Sequence, residues 1–447
     1  MKVTQYSTNK YGELMPYELK PALKLGGILV AKEKNEIKNT GFQGFGVAVT
    51  GASCYNLYTM TKEKRREFLE SIYGKDGLNF NIARLTIGSS DYSAEIYTYD
   101  DVENDINLEH FSIERDMEYI IPVLKEIVEI NPDIKFFGSP WTPPAWMKTG
   151  NSVGGGHMRA KYVECYAEYF IKYLKAYEEQ GIHVYAITCQ NEPETQQFGL
   201  MPACIWNPEN EAEFVSALRK KLDANHMKTK IWLHDHSFGY CERVEWMLQE
   251  YENLKNECDG IAFHYYDGNI EQTAYLRDKY PSLELHFTEG GPRLYDHYDT
   301  DWCKWSIMMS KTLNNGYSSF TGWNLMLDES GGPNIGPFFC GGLATLNRQT
   351  RELSYSGQYK AFRHFTKYIN EKSVIKPIVF ESNNEAMFSY PSSAKPLTGS
   401  LVENEDGTSA LIVVNPNEGK SQVQYFKDGK WWYIELMPET VATICFE

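Results

Sequence analysis

Glu192 and Glu289 are the side chains best placed to do chemistry. Glu192 stands in Gln190-Asn191-Glu192-Pro193 and Glu289 in Thr288-Glu289-Gly290-Gly291, each closing a short apolar run. A lone glutamate after such a run is ordinarily a helix cap or half of a surface ion pair. Two of them on facing sides of one cavity meet the needs of glycosidic bond cleavage. One carboxylic acid protonates the leaving oxygen, and a second carboxylate works from the other face of the sugar ring. Asn191 offers an amide for the sugar 2-hydroxyl, or serves as a turn residue before Pro193. Trp141 lies in Ser139-Pro-Trp-Thr-Pro-Pro-Ala-Trp, where prolines fix the backbone and leave an indole for the cleft or for packing; Trp146 is read as packing. Asp91, after Gly88-Ser-Ser, is an acceptor for sugar hydroxyls or an Asx-turn residue. Trp323 is a sugar platform or a plug. His234-Asp235-His236 places two imidazoles on alternate residues of a strand, with His264 ending the next, but no third ligand is specified, so no metal is expected.

The elements that must position these residues alternate regularly. Apolar runs of strand character begin at Gly44, Asn81, Lys135, Val184, Lys230, Gly260, Leu283 and Ser318, each followed by a helical pattern. The clearest helix carries Tyr162, Tyr166, Tyr169, Tyr173 and Tyr177 at three- and four-residue spacing. Another carries Ile113, Met117, Ile120, Leu124 and Ile127, with Pro122 marking a kink or a later start. Eight alternations predict an α/β fold, a closed (β/α)8 TIM barrel rather than an open sheet. Its strand-to-helix links are long at residues 88–110, 139–156 and 324–354, so function belongs at the C-terminal ends of the strands, with Glu192 and Glu289 facing each other across the mouth.

After about Asn370 the pattern turns to period two: Ala386-Met-Phe-Ser-Tyr, Ala410-Leu-Ile-Val-Val, Val423-Gln-Tyr-Phe and Trp431-Trp-Tyr-Ile, with hairpin signals at Asn404-Glu-Asp-Gly and Lys427-Asp-Gly-Lys. The expected organisation is N-terminal strands over residues 1–40, the barrel over 41–370 and an antiparallel β-sandwich completed by 371–447.

The 447 residues carry 44 basic and 60 acidic side chains, a net charge of −16, which argues against neutralising a phosphate backbone and so against a nucleic-acid partner. There is no phosphate-binding glycine loop, and no apolar run long enough for a membrane span. No signal peptide is read at the N-terminus, and nine scattered cysteines read as reduced core thiols, so the expected location is cytoplasmic. Aromatic residues reach 14% of the chain, a level that suits both a large core and a sugar-binding cleft.

Taken in order, Gly44-Phe-Gly, Arg84-Leu to Asp91-Tyr-Ser, Ser139-Pro-Trp-Thr-Pro-Pro-Ala-Trp-Met-Lys, Gln190-Asn-Glu-Pro-Glu, Gly260-Ile-Ala-Phe-His-Tyr-Tyr, Thr288-Glu-Gly, Gly322-Trp-Asn-Leu and Gly331-Gly-Pro-Asn resemble glycoside hydrolase family thirty, which includes glucosylceramidases and bacterial β-glucosidases and β-xylosidases. The resemblance implies a barrel with a β-sandwich built from both chain ends, a retaining double displacement, Glu192 as acid/base and Glu289 as nucleophile. It places Asp91, Trp141, Asn191, Tyr266, Trp323, His236 and Asn334 around the non-reducing sugar. The expected activity is exo-acting removal of a terminal β-glucosyl residue from a glycoside or glycolipid, as in sphingolipid metabolism, without a cofactor. β-Xylosidase or β-1,6-glucanase action on the same scaffold is the alternative. A non-catalytic carbohydrate-binding protein and a metal hydrolase built on His234, His236 and His264 are the rivals.

Overall fold

In the computed structural model, which describes residues 1–34, 38–197, 199–382 and 394–447, all eight expected runs are parallel strands of one closed barrel. In chain order they are Gly44–Ala48, Ile82–Thr86, Lys135–Ser139, Val184–Thr188, Lys230–Ser237, Gly260–His264, Glu284–Glu289 and Ser319–Gly322. Nearly every residue in them is buried, as parallel strands covered on both faces require. Ile82, Phe137, Ala186, Trp232 and Ala262 fill the interior, with Trp232 stacked on His286 at a ring separation of 3.7 Å. The tyrosine stripe lies on the helix Val163–Glu179, whose Tyr166, Tyr169, Tyr173 and Tyr177 are all buried. Pro122 marks a later start: it is the third residue of the helix Ile120–Ile130, in the first turn, where no intrahelical donor is lost.

One strand departs from simple alternation. Its apolar run ends at Leu233, yet the fifth strand continues to Ser237. There His234 and Asp235 take left-handed backbone angles, with φ of 76° and 49°. Pairing with the sixth strand steps from Ala262 opposite His234 to Phe263 opposite His236, so Asp235 is the extra residue of a β-bulge. His234 and His236 therefore do not present one face as strand alternation predicts.

The chain divides into two compact units, one of residues Phe45–Leu294 and Ser319–Ser354, the other of Met1–Gly44, Tyr295–Ser318 and Tyr355–Glu447. The second unit is a ten-stranded sheet drawn from both chain ends. It is antiparallel apart from the pairing of Leu29–Glu33 with Ser421–Lys427. The sheet folds back on itself as a sandwich: Gln5 Nε2 donates to Glu435 O at 3.2 Å, and Trp432 meets Phe446 edge to face at 6.0 Å around Leu401, Leu411, Ile434 and Ile444. Lys427 and Lys430 pair directly, and Asp428 and Gly429 turn between them with φ of 50° and 75°, the mirror-image turn that Asp-Gly favours. The expected strand at Ala386–Tyr390 lies outside the described residues.

The helix Trp302–Asn314 groups with this sheet. Trp302 Nε1 donates to Glu439 O at 2.8 Å, and Asn314 bonds Gly399 O and Ser400 Oγ, both at 2.9 Å. The sequence segmentation at residues 40 and 370 differs from the compact units here, because these side-chain bonds leave no periodic signal. All nine cysteines are free thiols. Leu411 is fully buried in the sandwich, so Leu411→Ala is expected to destabilise the protein by about 2–5 kcal/mol, read as a lower urea midpoint of the sandwich transition.

Candidate active site

Both glutamates sit where the barrel strands end. Glu289 is the last residue of the seventh strand, and Glu192 follows the fourth by four residues, in the left-handed conformation with φ of 48°. That turn is held from the bulge: the Glu192 amide donates to the Asp235 carbonyl at 3.0 Å. A carboxylate oxygen of Glu192 and one of Glu289 lie within 4.8 Å of each other. A cavity of about 240 Å³ opens over them, lined by Asp91, Trp141, Asn191, His236, Tyr266 and Trp323 as well as the two glutamates. Trp141 and Trp323 stack on each other with centroids 5.2 Å apart and planes at 20°.

Of the residues expected around the sugar, Asn334 alone stands apart. Its amide folds its own loop, donating to Phe338 O and accepting from Gly336 N at 2.8 Å. It lines a separate cavity of about 890 Å³ with Tyr55, Asp328, Arg348 and Arg351. Phe338 and Cys340, further along that loop, reach the first cavity in its place. The turn that Asn334 makes directs its side chain away from the first cavity.

A buried polar network fixes the two glutamates. Arg84, in the middle of the second strand and fully buried, donates through Nη1 to Glu289 Oε2 and through Nη2 to Asn191 Oδ1 and Asp235 Oδ2, both at 2.8 Å. Its guanidinium also lies 4.9 Å from the Trp141 ring centre and 5.4 Å from that of Trp323. Tyr266 Oη donates to the other Glu289 oxygen, Oε1, at 2.8 Å. Asp235 accepts four bonds: from Arg84 and the Thr188 hydroxyl at Oδ2, and from the Thr288 hydroxyl and His264 Nε2 at Oδ1, at 2.7 to 2.9 Å. A carboxylate has about four acceptor sites, and here all are filled. Burial would raise this carboxyl, but the charge of Arg84 and the bonds from His264 and Thr188 hold it far below the carboxylate range.

His264 joins the two halves of the network. Its Nδ1 lies 3.1 Å from Glu192 Oε1 and 4.0 Å from Glu289 Oε2. Burial would lower its pKa, yet the charges of Glu289 and Asp235 and the bonds to Asp235 and Glu192 raise it to about 9. Glu192 is shifted the other way: burial pushes it up, but the bond and charge from His264 outweigh that and leave it below the ordinary glutamate value. His236 is neutral at physiological pH, burial lowering it to about 4, and its Nδ1 is buried without a hydrogen-bond partner. The same holds for Asp91 Oδ1, and burial, with Glu289 and Glu192 nearby, drives the Asp91 carboxyl well above its usual range.

Glu192, His264 and Glu289 have donor types that could meet a cation. Both His264 nitrogens already face carboxylates, however, and a protonated ring has no lone pair to give. His234 Nε2 lies 3.2 Å from Ser237 O, away from that group. Sequence reasoning passed over the roles of Arg84 and Asp235. The available signal was a guanidinium inside the apolar run Asn81-Ile-Ala-Arg-Leu-Thr-Ile, since a buried arginine demands a buried acid. The acid itself was hidden by the bulge.

The chain matches the model of the glycosyl hydrolase family 30 TIM-barrel domain over residues 42–369. It is 29% identical over 409 residues to putative glucosylceramidase 3 of Caenorhabditis elegans, covering 83% of this chain and 78% of the relative. It is 26% identical over 416 residues to an endo-1,6-β-D-glucanase of Neurospora crassa, covering 90% and 84%. The solved structure of the endo-β1,6-glucanase BT3312 superposes with a TM-score of 0.84 at 28% identity, covering 99% of each chain. Removing the centre of the network leaves Arg84 and His264 buried and unpaired, so Asp235→Ala is expected to cost about 3–5 kcal/mol of stability in urea unfolding. A loss no larger than that of a surface substitution would show that the network is not a structural keystone.

Proposed function

The chain belongs to glycosyl hydrolase family 30, and from that premise we propose that it is a retaining β-glycosidase that removes one terminal β-glucosyl residue. Glu289 is its nucleophile and Glu192 its acid/base. The observation that carries this reading is the approach of the two carboxylates, oxygens within 4.8 Å, at the mouth of the barrel. Retaining enzymes hold their carboxyl groups ~5–5.5 Å apart, whereas inverting ones need ~6.5–9.5 Å to admit a water between them.

Glu289 attacks the anomeric carbon as Glu192 protonates the departing oxygen. Glu192 then takes a proton from the water that cleaves the glycosyl-enzyme. Tyr266 and Arg84 each hold one Glu289 oxygen, which orients the attacking lone pair. Asn191 uses its carbonyl oxygen on Arg84, which leaves its amide nitrogen as the donor for the sugar 2-hydroxyl. The unpartnered oxygen of Asp91, which lines the cavity, suits a sugar hydroxyl. At about 240 Å³ the cavity falls below the ~300–1,000 Å³ of pockets for drug-sized ligands, which supports one terminal ring over an extended chain and so exo action.

A second reading has its own support. Relatives named as endo-β1,6-glucanases match nearly the whole chain, so a β-1,6-linked glucan is the main competing substrate, ahead of a xyloside or a glucosylated lipid. A panel of p-nitrophenyl β-glucoside, β-xyloside, gentio-oligosaccharides and glucosylceramide separates these. Exo action on glucosides predicts glucose, released as the β-anomer in early NMR spectra, as the first product from gentio-oligosaccharides. Gentiobiose or longer products formed at first without free glucose, as from gentiotetraose, would transfer the enzyme to the endo class, and initial α-glucose would overturn retention. Glu289→Gln is expected to abolish turnover of every substrate. Glu192→Ala is expected to slow poor leaving groups by ~10²–10⁴-fold and activated aryl glucosides far less.

A further inference from the structure

The proposed reaction needs an acid proton in the resting enzyme, and the carboxyl of Glu192 is held below its ordinary value by the imidazole beside it. The geometry says where the proton resides. Asp235, with four donors around it, is a permanent anion, so His264 Nε2 carries a hydrogen towards Asp235 Oδ1 at 2.9 Å. The opposite nitrogen, Nδ1, faces Glu192 Oε1 at 3.1 Å. One further proton along that line makes either imidazolium with carboxylate or imidazole with carboxylic acid. Both forms keep the same hydrogen bond. Resting on the assignment of Glu192 as acid/base, we propose that His264 and Glu192 share a single proton and that the pair, rather than Glu192 alone, is the general acid of this enzyme.

The balance of the reaction is then simple. As the bond from the anomeric carbon to the leaving oxygen breaks, its electron pair stays on that oxygen, which takes the proton from Glu192. Glu289 forms the new bond to the anomeric carbon. Glu192 is left ionised and His264 neutral, still donating from Nε2 to Asp235. Water then attacks the anomeric carbon, the bond to Glu289 breaks with its electrons, and the proton released by water returns to the pair.

The groups facing His264 fix the pH range. They are Asp235 and His236 from the fifth strand, Glu192 after the fourth, Glu289 at the end of the seventh and Tyr266 beyond its own strand. His234 sits nearby on the fifth strand, and Arg84 acts from the second strand through Asp235. Asp235 and Arg84 compensate each other. His236 is neutral, and Glu289 adds a negative charge 4.0 Å from Nδ1, which holds the proton on the pair. Titration belongs to the pair as a unit, and the value of about 9 at His264 is that of losing this proton. The acid is present below that pH and disappears as pH rises through it. His264 acts through Glu192 and is a positioning and proton-holding residue, with no direct part at the anomeric carbon.

Two measurements test this. In the first, kcat/KM for an alkyl β-glucoside, whose leaving group needs an acid, is followed against pH in wild type and His264→Gln. The wild-type alkaline limb is expected at about 9, and in the variant it moves down by ~2 pH units or more, towards the range of a buried glutamic acid beside a second carboxylate. For a dinitrophenyl β-glucoside, which departs without protonation, the alkaline limb does not follow this shift. A variant that loses rate equally at every pH, with its alkaline limb unmoved, would overturn the proposal and leave His264 a structural prop. The second measurement is independent of substrate and keeps the histidine: NMR titration of the ¹⁵N-labelled His264 ring in wild type and Glu192→Gln. The shared proton predicts a high pKa that falls when Glu192 becomes an amide. A ring that titrates near its ordinary ~6.5 in both proteins sinks the idea. Should wild type cleave no β-glycoside at all, the assignment of Glu192 as acid/base fails, while the ring titration still decides whether the proton is shared.

Discussion

A charge buried at the centre of the barrel mouth sets the terms for everything around it. Asp235 is fully shielded from solvent, and an isolated carboxylate there would cost more than the whole stability of a typical domain. Four donors from four different strands answer it: Arg84, Thr188, His264 and Thr288. In accepting them, Asp235 fixes the guanidinium that grips the proposed nucleophile and the imidazole that touches the proposed acid. The two glutamates never meet Asp235 through their side chains, yet both are placed by it. The chemistry proposed for this mouth therefore rests on an ion that is itself shielded from solvent.

The bulge is the local structure that makes this possible. In a regular strand Asp235 would point to the face opposite that of its two neighbours. Two successive left-handed residues, each costing roughly 1–2 kcal/mol for a side chain other than glycine, insert Asp235 as an extra residue and aim it inward. The same turn exposes the carbonyl that takes the Glu192 amide, and Glu192 is itself left-handed. Strain of this kind persists only where surrounding bonds over-determine the conformation, and here those bonds are the buried network.

The sequence was legible where a feature repeats and opaque where it depends on a single exception to the repeat. Eight apolar runs, each followed by a helical pattern, imply a barrel because parallel strands buried on both faces must be apolar throughout. Glu192 and Glu289 stand out because each closes such a run. Asp91, Trp141, Asn191 and Trp323 were read from their own local motifs, Tyr266 and His236 from the family resemblance, and the cavity collects them all. Asn334 followed the same logic and lies elsewhere, since a motif fixes the path of a loop and not the direction of each side chain on it. The bulge had no signature, because His-Asp-His reads equally well as alternation. Alternation gave two histidines on one face and suggested a metal pair, when the middle residue was the important one. The attachment of the helix Trp302–Asn314 to the sandwich was equally silent, carried by a few polar side chains rather than by a period.

The aromatic excess divides along the same line between packing and chemistry. Tyr97, Tyr99 and Tyr177 turn their hydroxyls onto one buried carboxylate, Asp116, at 2.5 to 2.6 Å, and the rings of Tyr99, Tyr169 and Tyr173 stack around it. This second buried acid is met by neutral phenols instead of an arginine and a histidine. Burial outweighs those three bonds and leaves the Asp116 carboxyl above its ordinary value, whereas Asp235, facing cations, lies far below. The contrast shows what a buried carboxylate needs in order to stay charged. Phenols satisfy its lone pairs and pack a helix onto the barrel, which suffices for architecture. Cations keep it ionised, and only an ionised Asp235 can hold a protonated imidazole beside the carboxyl proposed to deliver a proton.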